Sequence, residues 1–151
     1  LNVNNDPETQ TSARAESIAS PPRSYRILVV DDNPDAAEIM AMLLSASGHQ
    51  VYCAADGPSA LEAAREHAPE VVLLDIGLPG MNGYELATRL RELALPHRPH
   101  LVAITGYDEE EDRARSRAAG IDQHIVKPVE HKVLTRVLRA VEESAPPRAA
   151  R

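Results

Sequence analysis

Apolar residues come in blocks along this chain. Five short apolar runs stand out: RILVV at 26–30, QVYCAA at 50–55, VVLL at 71–74, HLVAIT at 100–105 and IDQHIV at 121–126. The first, third and fourth are nearly continuous in apolar residues, the pattern of strands buried on both faces and hence of a parallel sheet. Between the runs the apolar residues fall at helical spacing. Residues 34–46 carry Ala37, Met40, Leu43 and Leu44, and residues 58–67 carry Leu61 and Ala64 with Ala68 beyond. Residues 83–94 carry Leu86, Leu90 and Leu93, and residues 129–142 carry Val133, Val137 and Val141. Residues 109–119 are strongly polar and complete the rhythm as a fourth helix. Five strand–helix units in strict alternation predict a doubly wound α/β domain.

The glycines fit this segmentation. Gly48 and Gly120 follow predicted helices, where a left-handed residue is wanted, and Gly57 and Gly83 open helices. Outside the block the chain changes character. Residues 1–24 are polar and aperiodic, with the break SPPRS at 20–24, and read as a disordered tail or interdomain linker. Residues 144–151 read as a second tail, which leaves one domain over 25–143.

Composition narrows the classes. The net charge of −7 argues against a nucleic-acid footprint, which needs a basic patch, and suits a cation or a basic partner surface. The single cysteine, Cys53, has no partner for an internal disulfide and no ligand at zinc spacing, so a reducing, cytoplasmic setting is expected. No apolar run approaches the roughly 18 residues of a membrane span, so no membrane contact is expected from this segment.

Sites in open parallel sheets form beyond the carboxyl ends of the strands, where strand order reverses. Asp31 and Asp32 follow the first run, Asp75 the third, Thr105 ends the fourth, and Lys127 follows the fifth. Three acids, a hydroxyl and a lysine thus meet at one rim. Crowded carboxylates call for a cation, and an all-oxygen ligand set suits Mg²⁺ or Mn²⁺. A carboxylate can also act as a nucleophile toward phosphorus, with the metal and the lysine offsetting phosphoryl charge. Each residue has a plainer reading as well. Asp32 or Asn33 could cap the helix that begins at Pro34, and Asp75 could cap a turn.

The set LVVDDN, LLDIGLPGMNGYEL, AITGY and HIVKPV resembles the receiver domain of two-component response regulators, over about residues 25–143. The resemblance implies a flavodoxin-like, five-stranded parallel sheet of order 2-1-3-4-5 with five flanking helices. It makes Asp75 the phosphoacceptor and a member of the metal-binding set, with Asp32 a direct ligand, Asp31 assisting and the Gly77 carbonyl as a further ligand. It makes Thr105 the switch hydroxyl and Lys127 the partner of a phosphoryl oxygen. It places lifetime tuning at Gly77 and Tyr107, and often makes the Lys127–Pro128 peptide cis. A phosphohistidine donor, a histidine kinase or a histidine phosphotransfer domain, is the implied partner. The fourth helix, fifth strand and fifth helix are the implied output or homodimer surface. One departure stands out: His124 occupies a position that the family usually gives to Tyr or Phe, and it either replaces that aromatic switch or is simply a half-exposed strand residue.

The wording of DIGLPGMNGYEL and HIVKPV resembles receivers of hybrid sensor histidine kinases. Together with the linker-like first 24 residues and the initial Leu, this leads us to expect the terminal receiver of such a kinase, with a stand-alone response regulator as the alternative. An aspartyl-phosphate phosphohydrolase would want a D-x-D motif, whereas Asp75 is followed by Ile76 and Gly77. A nucleotide-binding α/β protein would want a glycine- or hydroxyl-rich loop where this chain has DDNPD.

Overall fold

The computed structural model describes residues 23–106 and 113–144. The elements alternate as β1 (Arg26–Val30), α1 (Pro34–Ala46), β2 (Gln50–Ala54), α2 (Gly57–His67), β3 (Val71–Asp75), α3 (Gly83–Glu92), β4 (His100–Thr105), α4 (Arg113–Ala119), β5 (Gln123–Val126) and α5 (His131–Ser144). The five strands form one sheet in the order β2-β1-β3-β4-β5, and every pairing is parallel. This is the predicted doubly wound order, and its switch point lies between β1 and β3.

Continuous apolar strands make sense once both faces are covered. Leu28, Val30, Val72, Leu74, Leu101 and Ala103 pack with Ala60, Ala64, Leu86 and Leu90 of α2 and α3. The alternate strand residues Ile27, Val29, Val71, Leu73, Val102 and Ile104 pack with Met40 and Leu44 of α1 and with Leu134, Val137 and Val141 of α5. A period of two sends successive side chains to opposite faces, so an apolar face on each side requires an unbroken run. The edge strand β2 is half-exposed, and Cys53 is exposed on it, with Sγ 4.0 Å from the Ala37 carbonyl of α1.

Several local expectations shift. The buried stripe of α2 is Gly57, Ala60 and Ala64, with Leu61 only partly buried. Small residues let this helix approach the sheet closely. Ala68 lies outside α2, as its C-cap in the left-handed region at φ 47°. There the Arg26 guanidinium takes up the last carbonyls, donating to the Ala68 oxygen from Nε at 3.1 Å and from Nη2 at 3.0 Å. Leu93 likewise caps α3 and is not part of it. The fifth strand starts at Gln123, not at residue 121. Asp122, just before the strand, is tied to β4 on both sides: its amide donates to the Leu101 carbonyl at 2.8 Å, and its carboxylate accepts from the Leu101 amide at 2.9 Å and from Arg91 Nη2 at 2.8 Å. In α5 the buried face is Leu134, Val137 and Val141, with Val133 at its margin. The first part of the expected fourth helix, residues 109–112, lies outside the described residues, and so does Tyr107. Among the described residues no helix is long and apolar enough to cross a membrane.

Candidate functional site

The carboxyl ends of β1 and β3 bring the predicted acids together. Asp75 is the last residue of β3, and Asp31 follows β1 directly. Both are buried, each 7% exposed, whereas Asp32 is exposed. One carboxylate oxygen from each of the three lies within 4.8 Å of the others.

Their local conformations explain how two acids are held at the end of an apolar strand. Asp31 Oδ1 accepts the Asn33 amide at 2.9 Å, and Asp75 Oδ1 accepts the Gly77 amide at 2.9 Å. Each is a turn closed by the acid's own side chain two residues on. The plainer reading of Asp75 as a turn cap is therefore half right: one oxygen makes the turn and the other faces the cleft. The capping question at α1 resolves in favour of Asn33, whose side-chain oxygen accepts from the Asp35 and Ala36 amides. Asp32 is left outside that cap.

Lys127 enters from the end of β5, with Nζ 3.4 Å from Asp75 Oδ2. The distance is long for a hydrogen bond and marks an ion pair with room between the partners. The Lys127 amide donates to the Thr105 carbonyl at 2.9 Å, which extends the β4–β5 pairing as far as the lysine. The Lys127–Pro128 peptide is cis. Thr105 closes β4 and is buried at 3% exposure. It lies one residue beyond Ile104, the register partner of Asp75.

Burial is the main cause that pushes the Asp31 carboxyl above its ordinary range. The hydrogen bond from Asn33 opposes the shift, the Asp75 charge adds to it, Lys127 opposes it and Asp32 adds to it. A cation bound here would relieve that strain. The donors are carboxylates only, with no thiolate or imidazole among them, so the cluster fits a hard divalent ion such as Mg²⁺.

His124 lies on β5, three residues before Lys127. Its Nε2 lies 2.8 Å from the Ser116 hydroxyl on α4. Sequence reasoning missed Ser116, and the one available signal was a small hydroxyl at an inward helical position. It also missed the role of Gly83. A Cβ there would sit 2.7 Å from the Ile76 Cα and 2.9 Å from the Asp75 carbonyl oxygen. The glycine therefore lets the loop after Asp75 fold back onto α3, closed by the Gly83 amide on the Ile76 carbonyl at 3.0 Å. Beside the acids, an apolar pocket of about 470 Å³ opens between α1 and the β5–α5 connection, lined by Ile39, Met40, Leu43, Pro128 and Val129 with Asp31 and Lys127 at its polar end.

A doubly wound sheet with acids and a lysine at its switch point defines a class: an α/β domain with a cleft suited to a cation and a phosphoryl group. A sequence model of the response regulator receiver domain matches residues 27–139. The chain belongs to that family, the receiver domains of two-component signalling. It is 34% identical over 116 residues to protein PilH of Pseudomonas aeruginosa, a match covering 77% of this chain and 96% of PilH. It is 38% identical over 116 residues to the DNA-binding response regulator MtrA of Mycolicibacterium smegmatis, covering 76% of this chain but only 49% of MtrA. Among solved structures, chemotaxis protein CheY4 of Vibrio cholerae superposes with a TM-score of 0.73 at 26% identity, covering 79% of this chain and 99% of that one. The receiver domain of the sensor histidine kinase PA1611 from Pseudomonas aeruginosa, solved with a magnesium ion in its active-site cleft, gives a TM-score of 0.71 at 28% identity, covering 81% and 100%.

Proposed function

We propose that this receiver, residues 25–143 with flanking segments 1–24 and 144–151, takes a phosphoryl group on Asp75 in a Mg²⁺-dependent way. The observation that carries the reading is the Asp75 carboxylate itself. It is buried, oriented by the Gly77 amide through Oδ1, paired with Lys127 through Oδ2, and crowded by Asp31 and Asp32. A fixed carboxylate with a cation on one side is set to attack phosphorus in line. The new O–P bond forms on Asp75 as the P–N bond of a phosphohistidine donor breaks, and the electron pair leaves with the imidazole. Lys127 offsets charge on the transferring oxygens, and the Thr105 hydroxyl accompanies the new phosphoryl group. Asp32, Asp31, Asp75 and the Gly77 carbonyl would hold the metal, which when bound would supply positive charge to offset that of the transferring oxygens.

The donor is a histidine kinase or a histidine phosphotransfer domain. It approaches over the apolar α1 face beside the cleft, where Ile39 and Met42 are exposed at 60% and 63%. The output or dimer surface is α4, β5 and α5, where Val126 stands 54% exposed on β5. The parent protein is a hybrid sensor histidine kinase, a reading supported by the likeness to the PA1611 receiver. A stand-alone response regulator is the second reading, favoured by the near-complete coverage of PilH. The coding sequence upstream of Leu1 separates the two.

The test is incubation with acetyl phosphate, with and without Mg²⁺, read by intact mass. A single phosphoryl adduct that needs the metal and is lost in Asp75→Asn is expected. An adduct that is indifferent to Mg²⁺, or that persists in Asp75→Asn, refutes the reading. Lys127→Ala should slow the adduct's formation while leaving the fold intact, since its side chain is 44% exposed and the pair contributes little to stability.

A further inference from the structure

Helix α4 is seated unlike its neighbours. Helix α3 buries Gly83, Tyr84, Leu86, Ala87 and Leu90. Among the described side chains of α4 only Ser116 and Ala119 are buried, at 2% and 5% exposure. Its apolar contribution there is a single methyl group, and the residue at the centre of its inner face carries a hydroxyl.

That hydroxyl meets His124 Nε2 at 2.8 Å. His124 pairs in register with Ala103 on β4, and Val126 pairs with Thr105, so the histidine shares a sheet face with Thr105. This is the face under α2, α3 and α4, to which Leu101 and Ala103 also belong. The C-terminal end of α4 is fixed differently. The Gly120 carbonyl accepts from Arg91 Nε at 3.2 Å and Nη2 at 2.7 Å, and Gly120 takes a positive φ of 83°. At the outer side, the Arg115 guanidinium lies 4.4 Å from the centre of the Tyr84 ring, a contact with a partly hydrated charge.

We propose that the Ser116–His124 hydrogen bond is the latch that seats α4 on β5, with Gly120 pinned by Arg91 as the fixed end. The bond is part-buried, with Ser116 2% exposed and His124 half-buried, so its loss costs about the net value of one hydrogen bond. Its signalling consequence rests on the receiver reading, since β5 runs from His124 directly into Lys127. The latch itself belongs to the unphosphorylated chain.

The experiment is amide hydrogen exchange on the full chain without phosphodonor, comparing wild type, Ser116→Ala, His124→Leu and the double variant. Exchange of the α4 amides should quicken by about fivefold in Ser116→Ala, the scale of one net hydrogen bond. His124→Leu should match it, the double variant should add nothing further, and amides of β1 and β3 should keep their rates. Unchanged α4 exchange in both single variants, additive effects in the double, or an acceleration shared by β1 and β3 would each overturn the latch. Phosphorylation plays no part in the readout, so failure of the latch and failure of the phosphoacceptor assignment register separately.

Discussion

Replacing Asp31 with Asn should make the metal-free protein more stable at neutral pH, although it removes a charged residue from the cleft. Asp31 is buried, and oxygens of Asp32 and Asp75 lie within 4.8 Å of its own. At that separation two unit charges in a medium of effective dielectric about 20 repel by roughly 3.5 kcal/mol. Two effects reduce this. Asp32 is exposed, so water screens its share, and Lys127, 3.4 Å from Asp75, answers part of the field. A net gain of about 1–2 kcal/mol is expected. Asn matches Asp in shape, and its Oδ1 can still accept the Asn33 amide that now bonds at 2.9 Å. The sign with pH follows from the raised Asp31 carboxyl. Between the ordinary value of about 3.9 and the raised one, the folded state binds more protons than the unfolded state, so wild-type stability falls as pH rises through that window. The advantage of Asp31→Asn should therefore be near zero below that window and fully present above it. Urea unfolding in EDTA, followed by far-UV circular dichroism because the chain has no Trp, measures it. In melts, about 4 °C per kcal/mol is expected for a domain of this size. Millimolar Mg²⁺ should narrow or reverse the gap by stabilising the wild type preferentially. A less stable variant in EDTA at pH 7, or a difference that does not change with pH, would refute the argument that burial and crowding penalise the Asp31 charge.

Gly83→Ala should destabilise by about 2 kcal/mol through overpacking, despite the better helix propensity of Ala, because the new Cβ meets Ile76 Cα at 2.7 Å; urea midpoints check it. Ala68→Gly should stabilise by up to about 1 kcal/mol, since Ala68 holds a left-handed φ of 47°; a lower midpoint would count against strain there. His49 Nδ1 accepts the Tyr25 amide at 3.0 Å, and burial lowers its pKa. Below its ordinary value of about 6.5 the unfolded chain binds the extra proton first, so stability should fall as pH drops from there toward the lowered value. His49→Asn should flatten that part of the stability profile, measured by urea unfolding between pH 5 and 8.

Much of the architecture was legible along the chain. Strands buried on two faces must be apolar throughout, so three of the five announced both themselves and a parallel sheet. The acids at 31, 32 and 75 and the lysine at 127 were legible because in such a sheet the ends of strands are where sites form. Less could be read where one residue type serves two purposes. Asn33 and Asp32 are equally good caps on paper, and only the backbone at the start of α1 shows that Asn33 takes the cap. Ala68 looked like one more helical alanine, and only Arg26, reaching from the start of β1, explains why a non-glycine ends α2 there.

What the sequence by itself determined is therefore the alternation of elements and the chemistry carried at strand ends, since both follow from local periodicity and position. The tertiary structure decided the rest. It set how closely three carboxylates approach, which Asp75 oxygen faces Lys127, why residue 83 must lack a side chain, and that His124 meets Ser116. The carboxylate cluster and the Lys127 pair are distances between segments far apart in the chain, and even the shorter-range contacts of Gly83 and Ser116 form only once strands and helices have folded back on one another.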